Sequence, residues 1–442
     1  MRRTWRGLWG VLVWVGLVAC GVPAPEEESE PTVTEEGSEL GVSSAESKHR
    51  APPFTEPSWV RTITSSSGEQ EGQAIAHDRR GNVYVLVTDI GGPLDFGTGP
   101  VILPYPVSRI AGLAKYSPGG DLLWARVIAA EPTTESPISY TVGTAMAVDP
   151  KGHIVLGMHV EGRLVMEDID VGRGDYLMKL DEDGEGLWAR PLPTRATDVA
   201  IDDKGHIGIN GLLRGAPAAT FDFGDGPITA AKEYAFVARY SSRGELDWVF
   251  VDDEVVFTQG FTVDEDGNFY FSGSRFPDVT SGIGSPYLRK VTSRGRGSWV
   301  YRLDDVLGGF ADLAAHHDRL VAVGSFSGTF RFAGRTLSAE PEEFASMLLT
   351  FSQGGRERWG RRVDNQLLTV DMDHKGGVYV GGALRASGPS RLYLARYFKE
   401  SGNLDWELGF TERFSYAKDL SVTPGGDLAV IGGAIDVLSF RP

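Results

Sequence analysis

From Trp59 onward, apolar residues fall into short runs, each closed within about ten residues by Gly, Asp, Asn or Pro. Typical runs are NVYVLV from Asn82, HIVLGM from His153, HIGING from His206 and NFYFSG from Asn268. Runs of this length, rich in β-branched and aromatic residues and bounded by turn formers, predict strands. No stretch keeps the three-and-four spacing of an amphipathic helix, so the expected class is all-β.

The runs belong to two recurring units. The first reads AHDRRGNVYV at Ala76, AVDPKGHIVL at Ala147, AIDDKGHIGI at Ala200 and TVDEDGNFYF at Thr262. Looser copies start at Ala314, Asp371 and Ser421. Each predicts a strand, a tight turn and a second strand: Asp bonds its own backbone in the turn, and Gly takes a positive φ. The second unit predicts another hairpin, in which a basic residue precedes a tryptophan. Lys115, Lys179, Arg239, Lys290 and Arg396 are so related to Trp124, Trp188, Trp248, Trp299 and Trp406, while Thr350 stands in the basic place before Trp359.

Two hairpins per repeat make a four-stranded antiparallel unit with strands a, b, c and d. Repeats of unequal length, each with four strands and one Trp, point to a β-propeller of about seven four-stranded blades, with six as the alternative. Seven first hairpins are followed by only six second hairpins, and an unmatched Trp59 lies ahead of the first repeat. The two deficits are complementary. The strand at Trp59 is therefore expected to join the C-terminal blade and close the ring.

With the A-x-D-x-x-G-N turn, the LDFG-type segments at Leu94 and Phe221, and the K-Y…G…W hairpin in view, the chain resembles the bacterial SBBP-type β-propeller repeat lipoproteins over roughly residues 58–442. That resemblance implies a fold and says nothing about a ligand.

The segment before the repeats bears on location. Arg2, Arg3 and Arg6 precede an uncharged run from Leu8 to Ala19 that is too short to span a bilayer, which marks residues 1–20 as a signal peptide. The run ends in LVAC, which resembles a lipobox. The resemblance implies cleavage before Cys20, acylation of that cysteine with diacylglycerol and palmitate-type chains, and residence on the cell envelope, at the outer membrane. Cys20 is the only cysteine, so no disulfide forms within the chain. Residues 21–57, with nine Glu and many Pro and Ser, are expected to be a disordered tether leading to the propeller at 58–442. The net charge of −17 argues against nucleic acid as a partner.

Candidate chemistry is sparse. No G-x-S-x-G, H-E-x-x-H, Walker A or C-x-x-C motif occurs, and no catalytic residue, metal or cofactor is assigned. The tryptophans Trp59, Trp124, Trp188, Trp248, Trp299, Trp359 and Trp406 recur once per blade and are expected to be core. The basic column is expected to form ion pairs or a solvated edge. Asp95, Asp222 and Asp225 lack the density of a calcium loop and read as hairpin turns. Six of eight histidines fall in or beside the a–b turns; only His316, His317 and Asp318 are locally dense, and a turn variant is the expected reading there. The a–b and c–d connections are nearly constant in length, whereas b–c and d–a vary and emerge together at the opposite end. Binding is expected on that variable face, in the long loops that carry Tyr105 and Tyr140, with a protein, peptide or glycan as partner. The competing expectation is an envelope enzyme, lyase-like or quinoprotein-like, with a dispersed site over the central channel.

Overall fold

The computed structural model describes residues 42–43, 50–65, 70–89, 92–103, 107–215, 217–254, 256–276, 284–340, 343–385, 390–410, 414–433 and 435–441. The expected signal peptide, Cys20 and Tyr105 lie outside them. Among the described residues there is no helix, and hence none long and apolar enough to cross a membrane.

Alternating apolar runs linked by two-way turns leave the chain one economical solution, a succession of antiparallel meanders. The first is built of strands Gln70–His77, Val83–Asp89, Ile110–Tyr116 and Leu122–Ile128, hydrogen-bonded in that order as a, b, c and d. Five more follow the same order within 140–192, 196–251, 256–302, 307–363 and 366–410. The seventh runs Ala417–Val422, Leu428–Gly432, Asp436–Phe440, and takes Trp59–Thr62 as its fourth strand.

Strand a of each sheet contacts strand a of the next, and Ala417–Val422 contacts Gln70–His77, so the seven sheets form a closed ring around an axis lined by a strands. Each a strand carries a register shift at mid-length, such as the one between Ala417 and Asp419 that leaves Lys418 as the extra residue. Such bulges increase twist, as radially arranged sheets require.

The apolar interior is divided in the same way. Seven buried clusters occur, each lying between two neighbouring blades. One joins Tyr84, Leu86 and Leu113 of blade 1 to Met146, Ile154 and Met178 of blade 2. Another joins Trp59, Ala429 and Val437 to Val85, Ile110 and Tyr116 across the seam. A fully buried side chain of this kind contributes about 1.5–3 kcal/mol. Most of the stability is therefore held between repeats.

The expected seam is present. Trp59 lies opposite Ser439 and Thr62 opposite Asp436, the Ser58 N–H donates to the Ser439 carbonyl at 2.7 Å, and the Thr62 hydroxyl donates to the Asp436 carboxylate at 2.6 Å. The tether differs from expectation at its end. Val42–Ser43 pair with strand d of blade 6, Val42 opposite Phe410, and Phe54 is buried with its ring 5.2 Å from Trp406 and 4.9 Å from Phe440. Packing thus begins before Ser58. Blade 7 has no c–d turn of its own to cover Trp406, and Phe54 covers it.

Candidate functional site

The a–b and c–d turns emerge on one side of the ring, the turn face; the b–c and d–a connections emerge on the other, the loop face. The turn face is organised by Asp residues. Asp78 Oδ1 accepts the N–H groups of Arg80 and Asn82 at 2.8 and 3.0 Å, and Asp149, Asp202 and Asp264 do the same in their own turns. His153 and His206 donate Nδ1–H to Asp149 and Asp202 at 2.7 and 2.8 Å, standing where Asn82 and Asn268 bond their own aspartates. These two imidazoles are turn caps.

The Trp and basic columns act together, between blades. Trp124 Nε1 and Lys115 Nζ both donate to the Glu182 carbonyl, in the c–d turn of the next blade, at 3.1 and 2.9 Å. Trp248 with Arg239 meets Ser293 in the same manner, and Trp299 with Lys290 meets Gln353. The indole lies on the turn glycine of that next blade. A Cβ on Gly295 would stand 2.7 Å from Trp248, and one on Gly120 2.7 Å from Trp59. Lys115, Lys179 and Lys290 are buried, which corrects the expectation of a solvated edge, while the expected ion pairs occur at some positions of the column. A buried ammonium needs an acceptor, and the turn carbonyl supplies it. Ion pairs add to this at three positions: Arg239 faces Asp247 at 3.5 Å, Lys290 faces Asp264 at 3.6 Å, and Arg396, with no following c–d turn, pairs with Asp405 and Asp373. Trp59, Trp359 and Trp406 are buried, whereas Trp124, Trp188, Trp248 and Trp299 are only half-buried.

On the loop face, much of the variable length goes into hairpins that fold back on the blades. Leu164–Met166 pairs with Ile169–Val171, Ala219–Asp222 with Pro227–Ala230, and the end of Arg319–Phe332 with Arg335–Ala339. Their apolar residues Leu164, Ile169, Phe221, Phe330 and Leu337 are buried. Asp95 Oδ1 accepts from Gly97 and Gly99, and Asp222 from Gly224, as hairpin turns require. Two connections carry the most exposed of the described large apolar residues. The connection that carries Ile102 is tied at its far end to the loop 131–142, by Ser108 N–H to the Ser139 carbonyl and Thr141 N–H to the Arg109 carbonyl. Tyr140 is half-buried, its ring 5.5 Å from His159, whose Nδ1 is 2.8 Å from Asp175. Ile138 beside it is 67 % exposed and Ile102 is 81 % exposed, the two highest values among the exposed large apolar residues described.

Sequence reasoning missed the axis. Asp198, Asp312 and Asp419, one residue past the bulge in alternate blades, point into the channel with Asp371. Asp312 accepts from Leu313 N–H and from Val370 N–H of the next blade at 2.7 and 2.8 Å; Asp419 clasps Leu420 and Ile75 likewise, and Asp371 clasps Met372 and Val422. Burial raises these carboxyls, helped by repulsion from Asp419 at Asp312 and Asp371 and from Asp312 at Asp198: Asp312 and Asp371 go to about 7, Asp419 to about 6, and Asp198 well above its ordinary range. His77, half-buried beside Ser421, is lowered to about 4 by desolvation. The register of the bulges, invisible as a motif, places these groups.

The remaining histidines converge. His316 and His317 in blade 5 and His374 in the a–b turn of blade 6 each bring a ring nitrogen within 4.8 Å of the others. Asp318 is not of this group; it faces Arg358 at 3.5 Å.

No protein-family model matches the chain, and no curated protein matches it. Solved structures do. A chain of a mitotic checkpoint complex aligns over 93 % of this chain and 99 % of its own, with TM-score 0.53 and 9 % identity. The WD40 domain of Pan2 from Neurospora crassa aligns over 88 % and 97 %, with TM-score 0.50 and 9 % identity. This is a seven-bladed β-propeller. A streptogramin B lyase structure aligns over 86 % and 97 %, with TM-score 0.45 and 9 % identity, which is too loose to bear on the chemistry of this propeller.

Proposed function

We propose that the protein is an SBBP-type envelope lipoprotein, held to the outer membrane through acyl chains on Cys20, whose propeller binds a partner protein through the loop face of blades 1 and 2. The observation that carries this reading is the pair Ile102 and Ile138. They are the most exposed large apolar side chains described, and they stand on two surface connections bonded to each other beside Tyr140. Apolar side chains held out by an anchored loop are disposed for an apolar segment of a partner chain. The lipobox-like LVAC and the single cysteine support the anchor.

The enzyme reading draws less support. The channel carboxylates are each engaged by backbone N–H groups of adjoining a strands, which is the work of a clamp.

A photo-crosslinking residue at Ile138 of the membrane-bound protein should capture one envelope protein, and Ile102→Asp with Ile138→Asp should abolish that capture. Capture only of glycan, or capture unchanged in the double variant, overturns the reading. Cys20→Ser should release the chain from the membrane fraction and block palmitate incorporation; label entering the variant overturns the anchor.

A further inference from the structure

The a–b turn of blade 5 differs from the other six. It has only two residues, His317 and Asp318, between the paired His316 and Arg319, and His317 takes a φ of 52°. A non-glycine residue in that region costs about 1 kcal/mol or more and persists where its surroundings hold it. Here Glu265 of the blade 4 turn holds it. Its carboxylate accepts the His317 backbone N–H at 2.7 Å and lies 2.8 Å from His316 Nδ1. That bond places the proton of His316 on Nδ1 and leaves Nε2 with a free lone pair. Nε2 is buried and has no hydrogen-bond partner. The ring stacks on His317 with centroids 4.1 Å apart, and His374 closes the group at 5.5 and 5.2 Å from the two rings.

Three imidazoles gathered with their nitrogens inward, one oriented by a carboxylate through its other nitrogen, form the ligand set of a transition-metal centre. Imidazole nitrogen selects zinc, copper or nickel over calcium or magnesium. We propose that His316, His317 and His374 bind one divalent metal ion of the zinc class on the turn face, with Glu265 as the orienting carboxylate. Tetrahedral ligands at zinc–nitrogen distance are about 3.4 Å apart, so side-chain rotation of about 1 Å closes the site from its present 4.8 Å limit. His317 and His374 are exposed, leaving a fourth position open to water or to a partner's donor. The ion would tie blades 5 and 6 directly and blade 4 through Glu265.

The test is zinc titration of the full-length lipoprotein in detergent against a chromophoric chelator, with cobalt absorption as the report of nitrogen coordination. The parent should bind one equivalent and melt at a higher temperature with zinc, and not with magnesium. His374→Ala and His317→Asn, the latter keeping a residue that tolerates positive φ, should each weaken binding at least tenfold and remove the thermal shift. Glu265→Gln should weaken it by about 10–100-fold. His153→Ala, which removes an imidazole from another turn, should leave zinc binding and the zinc-dependent thermal shift unchanged. Absence of stoichiometric zinc in the parent, or equal binding by His374→Ala and His317→Asn, overturns the site.

Discussion

The two faces of the ring are made from the same strands and use their connections differently. On the turn face polar groups either cap their own turn, as Asp78 and Asp149 do, or reach the next blade: Trp248 and Arg239 share the Ser293 carbonyl, and Gly295 is bare because an indole lies on it. On the loop face the hairpins bury most of their apolar residues, while Ile102 and Ile138 are held outward. A connection that serves as a clamp cannot change length without opening an interface. A connection that serves none can, and that freedom is where recognition has room to arise.

The harshest way to break this contrast is at the seam. Deleting residues 58–64 removes the fourth strand of blade 7 and should unfold that blade, with fast amide exchange throughout Leu428–Gly432 and Asp436–Phe440; protected amides there would mean that the ring closes without it. Next comes the indole column. Trp359→Ala, at a buried position, should cost about 3–5 kcal/mol in urea unfolding, and Trp248→Ala, at a half-buried one, measurably less. Equal costs would show that the turn-face contacts, and not burial, set the scale. Lys115→Met keeps the apolar stem and loses the bond to Glu182, for an expected loss of about 1.5 kcal/mol. At the small end, Ile138→Asp should leave stability within about 0.5 kcal/mol while removing partner capture; a large loss of stability would place Ile138 among the clamps.

The axis gives a pH test of the same clamps. The channel carboxyls are raised in the fold, so their contribution is fully present below the ordinary carboxyl pKa and is lost as pH rises through about 6 to 7. His77, lowered to about 4, acts oppositely: its contribution is present above about 6.5 and fades as pH falls. Melting temperature should therefore fall between about pH 6.5 and pH 8, where the carboxyls act alone, and Asp312→Asn should flatten that fall. A melting temperature that stays level over this interval would show that the backbone N–H groups hold the carboxylates ionised.

Strand positions, the four-strand repeat, the count of seven and the complementary seam were all legible along the chain, because alternation and turn chemistry are local. Asp78 bonds residues two and four places on, and Gly81 turns the chain where it stands. The partners between repeats were not legible. In the K-Y…G…W hairpin the Gly and Trp are near neighbours in sequence, yet each meets its counterpart in another blade. Phe54 reads as part of a tether and is buried because the last blade lacks a turn to cover Trp406. His374 lies far along the chain from His316 and His317, and Glu265 far before them. They meet because the short turn of blade 5 sits between two longer ones on a closed ring. Local periodicity determined what each blade is; the rotation from one blade to the next, set by closing seven of them on a common axis, decided which side chains face each other.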